Sequence, residues 1–364
     1  MKNFISFFLL LHLVAQAQSP ISTFKLSKDK QYLLSGHIDG TANLWNLKDS
    51  RLEWTKIDYN SPVMSVDISF ESNDVLVYSH HEGQIISRNK LGDIYFIKPL
   101  IKGSINSVIL TSDGNAILAS GQDSLIYILD SKSAELLDSI YQKLSSLENI
   151  NRATTDAYNK YYATGHIDGT VKVWDLDNFS LISEKNYNNN AISSMVFNKD
   201  GNILSIGNIS GEIILYDLVR ARDFSDAKRS DIVTSLNFRD GSRNIMSSHG
   251  DEIIIWKYSN NDLMSVVEIK NNFHDGFFSK ASFFSDNKNI IISSGHDGTL
   301  KLLDFSNSRL RAKGAKVIAE LIADKDMGWI IIGENGSYNG QGSIIKKYKE
   351  RANKLDTEIL SRLF

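Results

Sequence analysis

Residues Thr164–Leu176 read T-G-H-I-D-G-T-V-K-V-W-D-L, and closely similar stretches occur before and after them. Ser35–Leu47 reads S-G-H-I-D-G-T-A-N-L-W-N-L, and Ser294–Phe305 reads S-G-H-D-G-T-L-K-L-L-D-F, which is one residue shorter. The Asp-Gly turns of these stretches lie 129 residues apart in both cases, which accommodates three units of about 43 residues. The chain is therefore a repeat array.

Fainter copies of the same unit fill the two gaps. In the clearest units a predicted strand ends in two small residues, such as Ser35-Gly36. Aligning the units on the residue that follows gives seven units, at His37, His81, Gln122, His166, Asn208, His249 and His296. A period of about 40 to 45 residues is typical of a four-stranded propeller blade. We therefore predict an all-β, seven-bladed propeller over residues 18–323.

Each unit contains the alternation of apolar and polar residues that a half-buried strand requires, as in Val63–Ile68. Asp-Gly pairs such as Asp113-Gly114 favour tight hairpin turns. A first strand, Ile21–Leu26, begins near residue 18, and Lys316–Ile322 can supply the fourth strand of unit seven. We therefore expect each blade to be built from contiguous sequence. The third-strand tryptophans are interpreted as packing between blades: Trp45, Trp174 and Trp256.

The unit resembles the WD40 repeat, in which the third strand ends in Trp-Asp. That pair is present as Trp174-Asp175 and is degenerate in the other units, at Trp45-Asn46, Arg88-Asn89, Leu129-Asp130, Tyr216-Asp217, Trp256-Lys257 and Leu303-Asp304. The resemblance covers residues 21 to about 310. The family's Gly-His pair ahead of each first strand is absent from every unit, so the His–Ser/Thr–Trp–Asp hydrogen-bond network that this pair anchors is not expected.

The N-terminal segment has the pattern of a secretory signal peptide. A short basic start at Met1–Asn3 precedes an apolar run, Phe4–Val14, and the A-x-A motif of Ala15–Ala17. The run is shorter than the roughly 20 residues of a membrane-spanning helix, although a retained membrane anchor is the alternative. We expect residues 1–17 to be removed and the bacterial-type mature protein to be exported to the periplasm or the cell exterior.

The composition argues against several kinds of chemistry. The 364 residues include no cysteine, which removes thiol nucleophiles, thiolate metal sites and disulfides. A net charge of −3 indicates no basic face for nucleic acid. No G-x-S-x-G, H-E-x-x-H or P-loop motif is present. We therefore expect no catalytic residue, no cofactor, no metal and no nucleic-acid partner.

Five of the eight histidines occupy one repeat position in this alignment: His37, His81, His166, His249 and His296. Rotational repetition would place them on one face, where a partly pH-sensitive ring could bind a partner, because imidazole titrates near neutral pH. Alternatively, each ring bonds within its own turn. A shared metal site is not expected, since adjacent blades hold equivalent residues further apart than Zn–N bonds of about 2.1 Å allow.

Residues 324–364 form a C-terminal tail. Met327–Gly340 predicts a strand and a turn, with Trp329 and Tyr338 on the rim of the propeller. This element resembles one that follows WD40-like propellers in bacterial multidomain proteins, including fusions to caspase-like peptidases. Because those peptidases use a cysteine, the resemblance implies no peptidase activity here.

An amphipathic helix is predicted at the end of the chain, because apolar residues recur there at steps of three and four: Ile345, Tyr348, Ala352, Leu355, Ile359 and Leu363. The helix could dock against its own propeller, bind a partner, or contact an anionic membrane surface. Tyr348, Leu355 and Ile359 are the candidate partner-binding residues of this segment.

Together these features predict a monomeric, non-enzymatic scaffold of the periplasm or cell exterior that binds protein partners through its loop faces and C-terminal helix. One alternative is an accessory factor for the assembly of an exported respiratory or envelope complex. Another is a hydrolase or lyase with its site at the central opening, which would need carboxylates and histidines converging on the axis.

Overall fold

The computed structural model describes residues 19–123, 125–141, 149–259, 262–271, 273–284, 289–306, 315–323, 328–342, 344–345 and 354–355. These residues form seven antiparallel sheets, each made of consecutive strands. The chain is therefore a seven-bladed, all-β propeller, as the period of the repeat predicted. The expectation that each blade uses contiguous sequence is also confirmed.

The first four blades have four strands each. Blades one and two contain β1 to β8: Ile21–Leu26, Tyr32–His37, Thr41–Asn46, Arg51–Ile57, Val63–Ser69, Val75–His80, Gln84–Arg88 and Ile94–Pro99. Blades three and four contain β9 to β16: Ile105–Leu110, Ala116–Gly121, Leu125–Asp130, Leu136–Tyr141, Ile150–Thr155, Tyr161–His166, Thr170–Asp175 and Leu181–Asn186. One helical turn, α1 (Phe70–Asn73), connects β5 and β6.

The remaining blades differ in size, because blade seven has seven strands. Blades five and six contain β17 to β24: Ile192–Phe197, Ile203–Asn208, Glu212–Asp217, Arg222–Lys228, Ser235–Arg239, Asn244–Ser248, Glu252–Tyr258 and Leu263–Lys270. Blade seven contains β25 to β31: Phe278–Phe283, Ile290–Gly295, Leu300–Asp304, Lys316–Ala323, Trp329–Gly333, Ser337–Gln341 and Lys354–Leu355.

The core lies between neighbouring blades. Trp45 packs in a cluster with residues of blade seven, Trp174 with residues of blade three, and Trp256 with residues of blade five. Each tryptophan is at most 7% exposed. The interpretation of these side chains as packing between blades is therefore confirmed, and burial of such large aromatic surfaces stabilises the ring.

A bulge near the start of the first strand recurs in six blades. In four of them the bulged side chain donates a hydrogen bond of 2.6 to 2.8 Å to a carbonyl of the next blade; these donors are Ser22, Asn106, Asn151 and Ser193. Because a bulge re-aims a side chain, the irregularity joins neighbouring blades along the inner wall of the ring.

The outer strands of blade seven cover the seam between the two ends of the ring. The indole rings of Trp329 in β29 and Trp45 in β3 meet edge to face, with centroids 6.4 Å apart. Asn339 in β30 donates from Nδ2 to the carbonyl of Ser50 in blade one at 2.9 Å. The seam is therefore covered by β29 and β30, which extend the sheet of blade seven beyond its first four strands.

The C-terminal amphipathic helix predicted over residues 345–363 is not supported. Lys354-Leu355 forms a strand, β31, that pairs in parallel with Ser337-Tyr338. Tyr348 and Ile359 lie outside the described residues. Spacing at three and four does not by itself select a helix when a neighbouring sheet edge offers unpaired backbone groups.

Two further expectations concern membrane contact and the N-terminus. Among the residues that the structure describes, no helix is long and apolar enough to cross a bilayer. The signal peptide predicted at residues 1–17 lies outside those residues.

Candidate functional site

One repeat position closes the second strand of each blade, opposite the start of the first strand. Its occupants are His37, His80, Gly121, His166, Asn208 and Gly295, and in blade six the matching residue, His249, directly follows β22. The sequence alignment is therefore wrong by one residue at His81, Gln122 and His296. In blades one, two, four, five and seven the turn that follows has the same length, because a glycine N–H bonds the carbonyl three residues earlier, as in Gly83 to His80 and Gly298 to Gly295. His296 consequently takes the place that Ile38 has in blade one.

Three of the five predicted histidines point into their own blades. His37, His166 and His249 are 5%, 0% and 0% exposed. In each, Nε2 lies 2.9 to 3.2 Å from the hydroxyl of the serine or threonine two residues earlier. His81 and His296 are exposed. The five rings therefore do not form one exposed surface. The buried contacts agree with the alternative in which each histidine forms hydrogen bonds within its own repeat.

The buried histidines favour the neutral form. Burial lowers the pKa of His37 and of His249, although hydrogen bonds to the carbonyls of Ser19 and Asp231 oppose the shift. Burial likewise lowers the pKa of His80, whose Nδ1 lies 2.7 Å from the carbonyl of Ser61. A neutral imidazole can donate from one nitrogen and accept at the other, which suits a link between a turn and a strand.

Part of the WD40 hydrogen-bond network is present in blade six. The indole of Trp256 donates to Ser247 Oγ at 2.8 Å, and the same oxygen lies 2.9 Å from His249 Nε2. The histidine comes from the end of the second strand instead of from the loop ahead of the first strand. Sequence reasoning missed this substitution because it searched for a Gly-His pair.

The expectation that no unit forms the hydrogen-bond network is wrong for blade seven. His274 lies four residues before β25, and its Nδ1 is 3.0 Å from Asp297 while its Nε2 is 2.8 Å from Ser293 Oγ. Burial opposes ionisation of Asp297, but the hydrogen bond and charge of His274, with the charge of Lys301, hold the pKa of that carboxyl well below its usual range. A search for a histidine about four residues before the first strand, without a preceding glycine, would have found His274.

An exposed apolar side chain recurs in the turn between the second and third strands. Ile38, Ile167 and Ile209 are 46%, 46% and 49% exposed at the same turn position. The connection into blade seven adds Phe277, which is 58% exposed and whose ring meets His296 edge to face at 6.1 Å. All four residues lie on the face that carries the turns between second and third strands, hereafter the turn face.

The opposite face also exposes apolar residues. Leu91 and Val219, in turns between third and fourth strands, are 80% and 81% exposed. These residues lie in single turns of blades two and five. The turn face differs because its isoleucines repeat at one position in three blades.

A central channel of about 760 Å³ runs along the axis and is lined by the first strands of all seven blades. Side chains alternate along these strands, so one set faces the channel while residues such as Phe24 and Val108, each 1% exposed, enter the core. Among the described residues, no cluster of three histidines or carboxylates is placed to hold a metal ion.

Two family models match the chain. The model described as "WD domain, G-beta repeat" matches residues 9–46, and the model described as "Nucleolar protein 10-like, N-terminal domain", a β-propeller, matches residues 106–286. The matches agree with the seven four-stranded repeats of the fold. Its repeat units are of the WD40 type.

Several curated WD40 relatives are similar at low identity. WD repeat-containing protein 55 homolog of Dictyostelium discoideum is 22% identical over 72% of this chain and 62% of its own length. Mitotic checkpoint protein bub3 of the same organism is 24% identical over 53% of this chain and 62% of its own. U3 small nucleolar RNA-associated protein 21 homolog of Schizosaccharomyces pombe is 28% identical over 38% of this chain and 15% of its own.

The matched segments cover less than two thirds of each of these relatives. Among solved structures, a chain of the structure titled "Crystal Structure of Mitotic Checkpoint Complex" superposes with a TM-score of 0.66 at 17% identity, over 74% of this chain and 86% of that chain. At this identity the superposition shows the fold alone.

The predicted location of this WD40 protein in the periplasm or outside the cell is wrong. One matching model describes a nucleolar protein, and the relatives named above are eukaryotic, one of them being named for a small nucleolar RNA. The repeat model also begins at residue 9, inside the segment that was predicted as a signal peptide. A short apolar run with a small-residue site is a weak signal, because the first strands of repeats are also apolar.

Proposed function

We propose that this WD40 protein is a non-enzymatic scaffold that binds a protein partner on the turn face. The recurrence of Ile38, Ile167 and Ile209, each about half exposed at one turn position, carries the proposal. Single exposed apolar residues are ordinary on protein surfaces, whereas a repeated set on one face indicates an interaction surface. The partner would present apolar side chains to these isoleucines and to Phe277.

The relatives support a role in assemblies. One relative is named as a subunit of the target of rapamycin complex. Because rigid rings present turns at fixed separations, a partner can bury several of them at once without ordering flexible segments, which keeps the entropic cost of binding low.

The central channel favours a scaffold over a hydrolase or lyase. Its described lining contains no histidine and three carboxylates, those of Asp67, Asp156 and Asp240. Asp67 accepts a backbone hydrogen bond from Leu110 at 2.9 Å, and Asp156 accepts hydrogen bonds from its own loop, including one from Lys160 N at 2.8 Å. These contacts give two of the carboxylates structural roles. General acid–base chemistry would need groups free to exchange protons with a substrate.

The test compares two sets of substitutions by crosslinking in the native cell followed by mass spectrometry. The first variant carries Ile38→Asp, Ile167→Asp and Ile209→Asp, and the matched control carries Leu91→Asp and Val219→Asp on the opposite face. We expect the first variant to lose the partners that the wild-type protein recovers and the control to keep them. Circular dichroism checks that both variants fold.

Two outcomes would contradict the proposal. If the control loses the partners while the first variant keeps them, the binding surface lies on the opposite face. If the wild-type protein recovers no specific partner, the scaffold role itself fails.

A further inference from the structure

A ring of polar side chains surrounds the channel at the first channel-facing position of each blade. These residues share one place in the strand register and are Thr23, Ser65, Ser107, Arg152, Ser194, Ser235 and Lys280. We call this set the channel ring. Five blades supply a hydroxyl there, and two blades supply a cation.

The two cations of the channel ring come from blades on nearly opposite sides of the axis. Arg152 belongs to blade four and Lys280 to blade seven, so they are nearly opposite in a ring of seven. Thr23 lies on the blade next to Lys280, and Ser194 lies on the blade next to Arg152. Two positive charges and two neighbouring hydroxyls therefore lie at the same level of the channel.

The two cations form hydrogen bonds to carbonyl groups. Arg152 donates from Nε to Ser193 O at 3.0 Å and from Nη1 to Asn151 O at 2.7 Å. Lys280 donates from Nζ to Phe24 O at 2.8 Å. Among the residues that the structure describes, neither cation forms an ion pair with a carboxylate. Carbonyl dipoles orient the two groups but supply no counter-charge.

The channel as a whole is positive although the protein carries a net charge of −3. Two residues further along the strands, Lys25 pairs with Asp67 at 3.2 Å, so this carboxylate is already used. The described lining contains six cations and three carboxylates, and these are Lys25, Lys28, Lys30, Arg152, Lys199 and Lys280 against Asp67, Asp156 and Asp240. A cleft with one dominant sign and low-dielectric walls concentrates counterions.

From this geometry we propose that the channel ring binds a phosphate group, free or carried by a small phosphomonoester, between Arg152 and Lys280. A guanidinium matches phosphate oxygens through its planar donors, and an ammonium matches them as a point charge. The hydroxyls of Thr23 and Ser194 can donate to the remaining oxygens. A channel of about 760 Å³ leaves room for the organic part of a monoester.

The electrostatics of Lys280 agree with such a ligand. Burial lowers the pKa of Lys280 to about 8, and the charges of Lys25 and Arg152 add to the shift while Asp67 opposes it. A bound dianion would offset the repulsion among these cations, which gives the ligand a source of binding free energy that chloride supplies less well.

A purely structural role is the alternative for both cations. Ser65, Ser107 and Ser235 also reach the backbone of the next blade, at 3.3, 3.5 and 3.3 Å. Arg152 and Lys280 would then be longer versions of the same link between blades. The two roles differ in one respect, because only a binding site responds to phosphate at constant ionic strength.

The test is isothermal titration calorimetry of the full chain with inorganic phosphate and, separately, glycerol 3-phosphate, with chloride holding the ionic strength constant. We expect one saturable site. Arg152→Gln and Lys280→Gln should each weaken binding about tenfold or more, since each removes a charge-assisted hydrogen bond. Lys48→Gln, which removes an exposed cation outside the channel, should bind as the wild-type protein does.

Ser194→Asp keeps the test decisive if a glutamine variant fails to fold. This substitution keeps the hydrogen bonds of Arg152 and Lys280 to carbonyl groups and adds a negative charge to the channel ring. A folded Ser194→Asp protein should therefore not bind phosphate. The proposal is overturned if the wild-type protein shows no heat of binding with either ligand at millimolar concentration. Unchanged affinity in folded Ser194→Asp would overturn it equally. A preference for glycerol 3-phosphate over inorganic phosphate would assign the site to a monoester.

Discussion

Blades two and seven both lack tryptophan at the third-strand position, and they replace it in opposite ways. In blade two the position is held by Arg88, which is 3% exposed and forms an ion pair with Asp58 while its Nε donates to Tyr78 Oη at 2.8 Å. In blade seven the position is held by Leu303, which is 0% exposed. The polar network of blade seven is built elsewhere, around His274.

The difference shows what the repeat position requires. Arg88 and Leu303 both fill the space between blades. Each blade then supplies hydrogen-bond partners for the polar groups that its third-strand residue carries. Arg88 needs a carboxylate because a buried guanidinium is costly unless it is paired, whereas Leu303 needs none. Blade seven is free to pair His274 with Asp297 at the turn. The same topology thus tolerates two distributions of buried charge.

The largest effect is expected when the ion pair of blade two is broken. Arg88→Ala leaves Asp58 with the hydrogen bond from Tyr78 Oη but without its counter-charge, and removing one member of a buried pair costs about 3 to 5 kcal/mol of unfolding free energy. Urea denaturation measures the loss. Arg51→Ala, which breaks the exposed pair with Glu53 at 3.0 Å, is the control and should cost less than about 1 kcal/mol. Equal losses in the two variants would refute the special role of blade two.

A smaller effect is expected in blade seven. His274→Ala leaves buried Asp297 with Thr299, Lys301 and the backbone N–H of Asp275 as its remaining partners, so the loss should be about 2 to 3 kcal/mol. His296→Ala removes an exposed ring and should change the unfolding free energy by less than about 0.5 kcal/mol. If His296→Ala were the more damaging substitution, the placement of the network on His274 would be wrong.

The two blades should also differ in their response to pH. The pKa of His80 in blade two is lowered by burial, so below pH of about 6.5 the unfolded chain binds more protons and the unfolding free energy falls as pH falls. One histidine contributes at most about 1.4 kcal/mol per pH unit. His80→Asn, which copies Asn208 of blade five, should reduce the dependence of the melting temperature on pH between pH 7.5 and 5.5. His81→Asn should leave that dependence unchanged. An unchanged slope in His80→Asn would show that other groups cause it.

The smallest effect is expected at the seam, where blade seven reaches blade one. Asn339→Ala removes the hydrogen bond to the carbonyl of Ser50, which is worth about 0.5 to 1.5 kcal/mol. Thermal denaturation measures the change, with Asn335→Ala as a variant in the same hairpin that leaves the seam contact intact. A loss well above this range would mean that the added strands hold the ring closed more strongly than the one bond implies.

Much of the fold could be predicted because repetition amplifies weak local signals. The predicted strand Ile21–Leu26 is β1, and Lys316–Ile322 lies within β28. The alignment failed at His81 because two histidines are adjacent and only the glycine-closed turn decides which of them ends the strand. The network in blade seven was missed because His274 follows phenylalanine where the family has glycine.

The sequence by itself determined the number of blades, their order and the positions of the buried tryptophans, since these follow from a period, from alternation and from turn residues that act locally. Only the tertiary structure decided which histidines are buried, where the network of blade seven forms, how the seam is closed and which cations face the channel. Those outcomes depend on side chains from different blades meeting at particular distances. Residues such as Arg152 and Lys280 are 128 positions apart in the chain, and only the closed ring brings them to the same level of the axis.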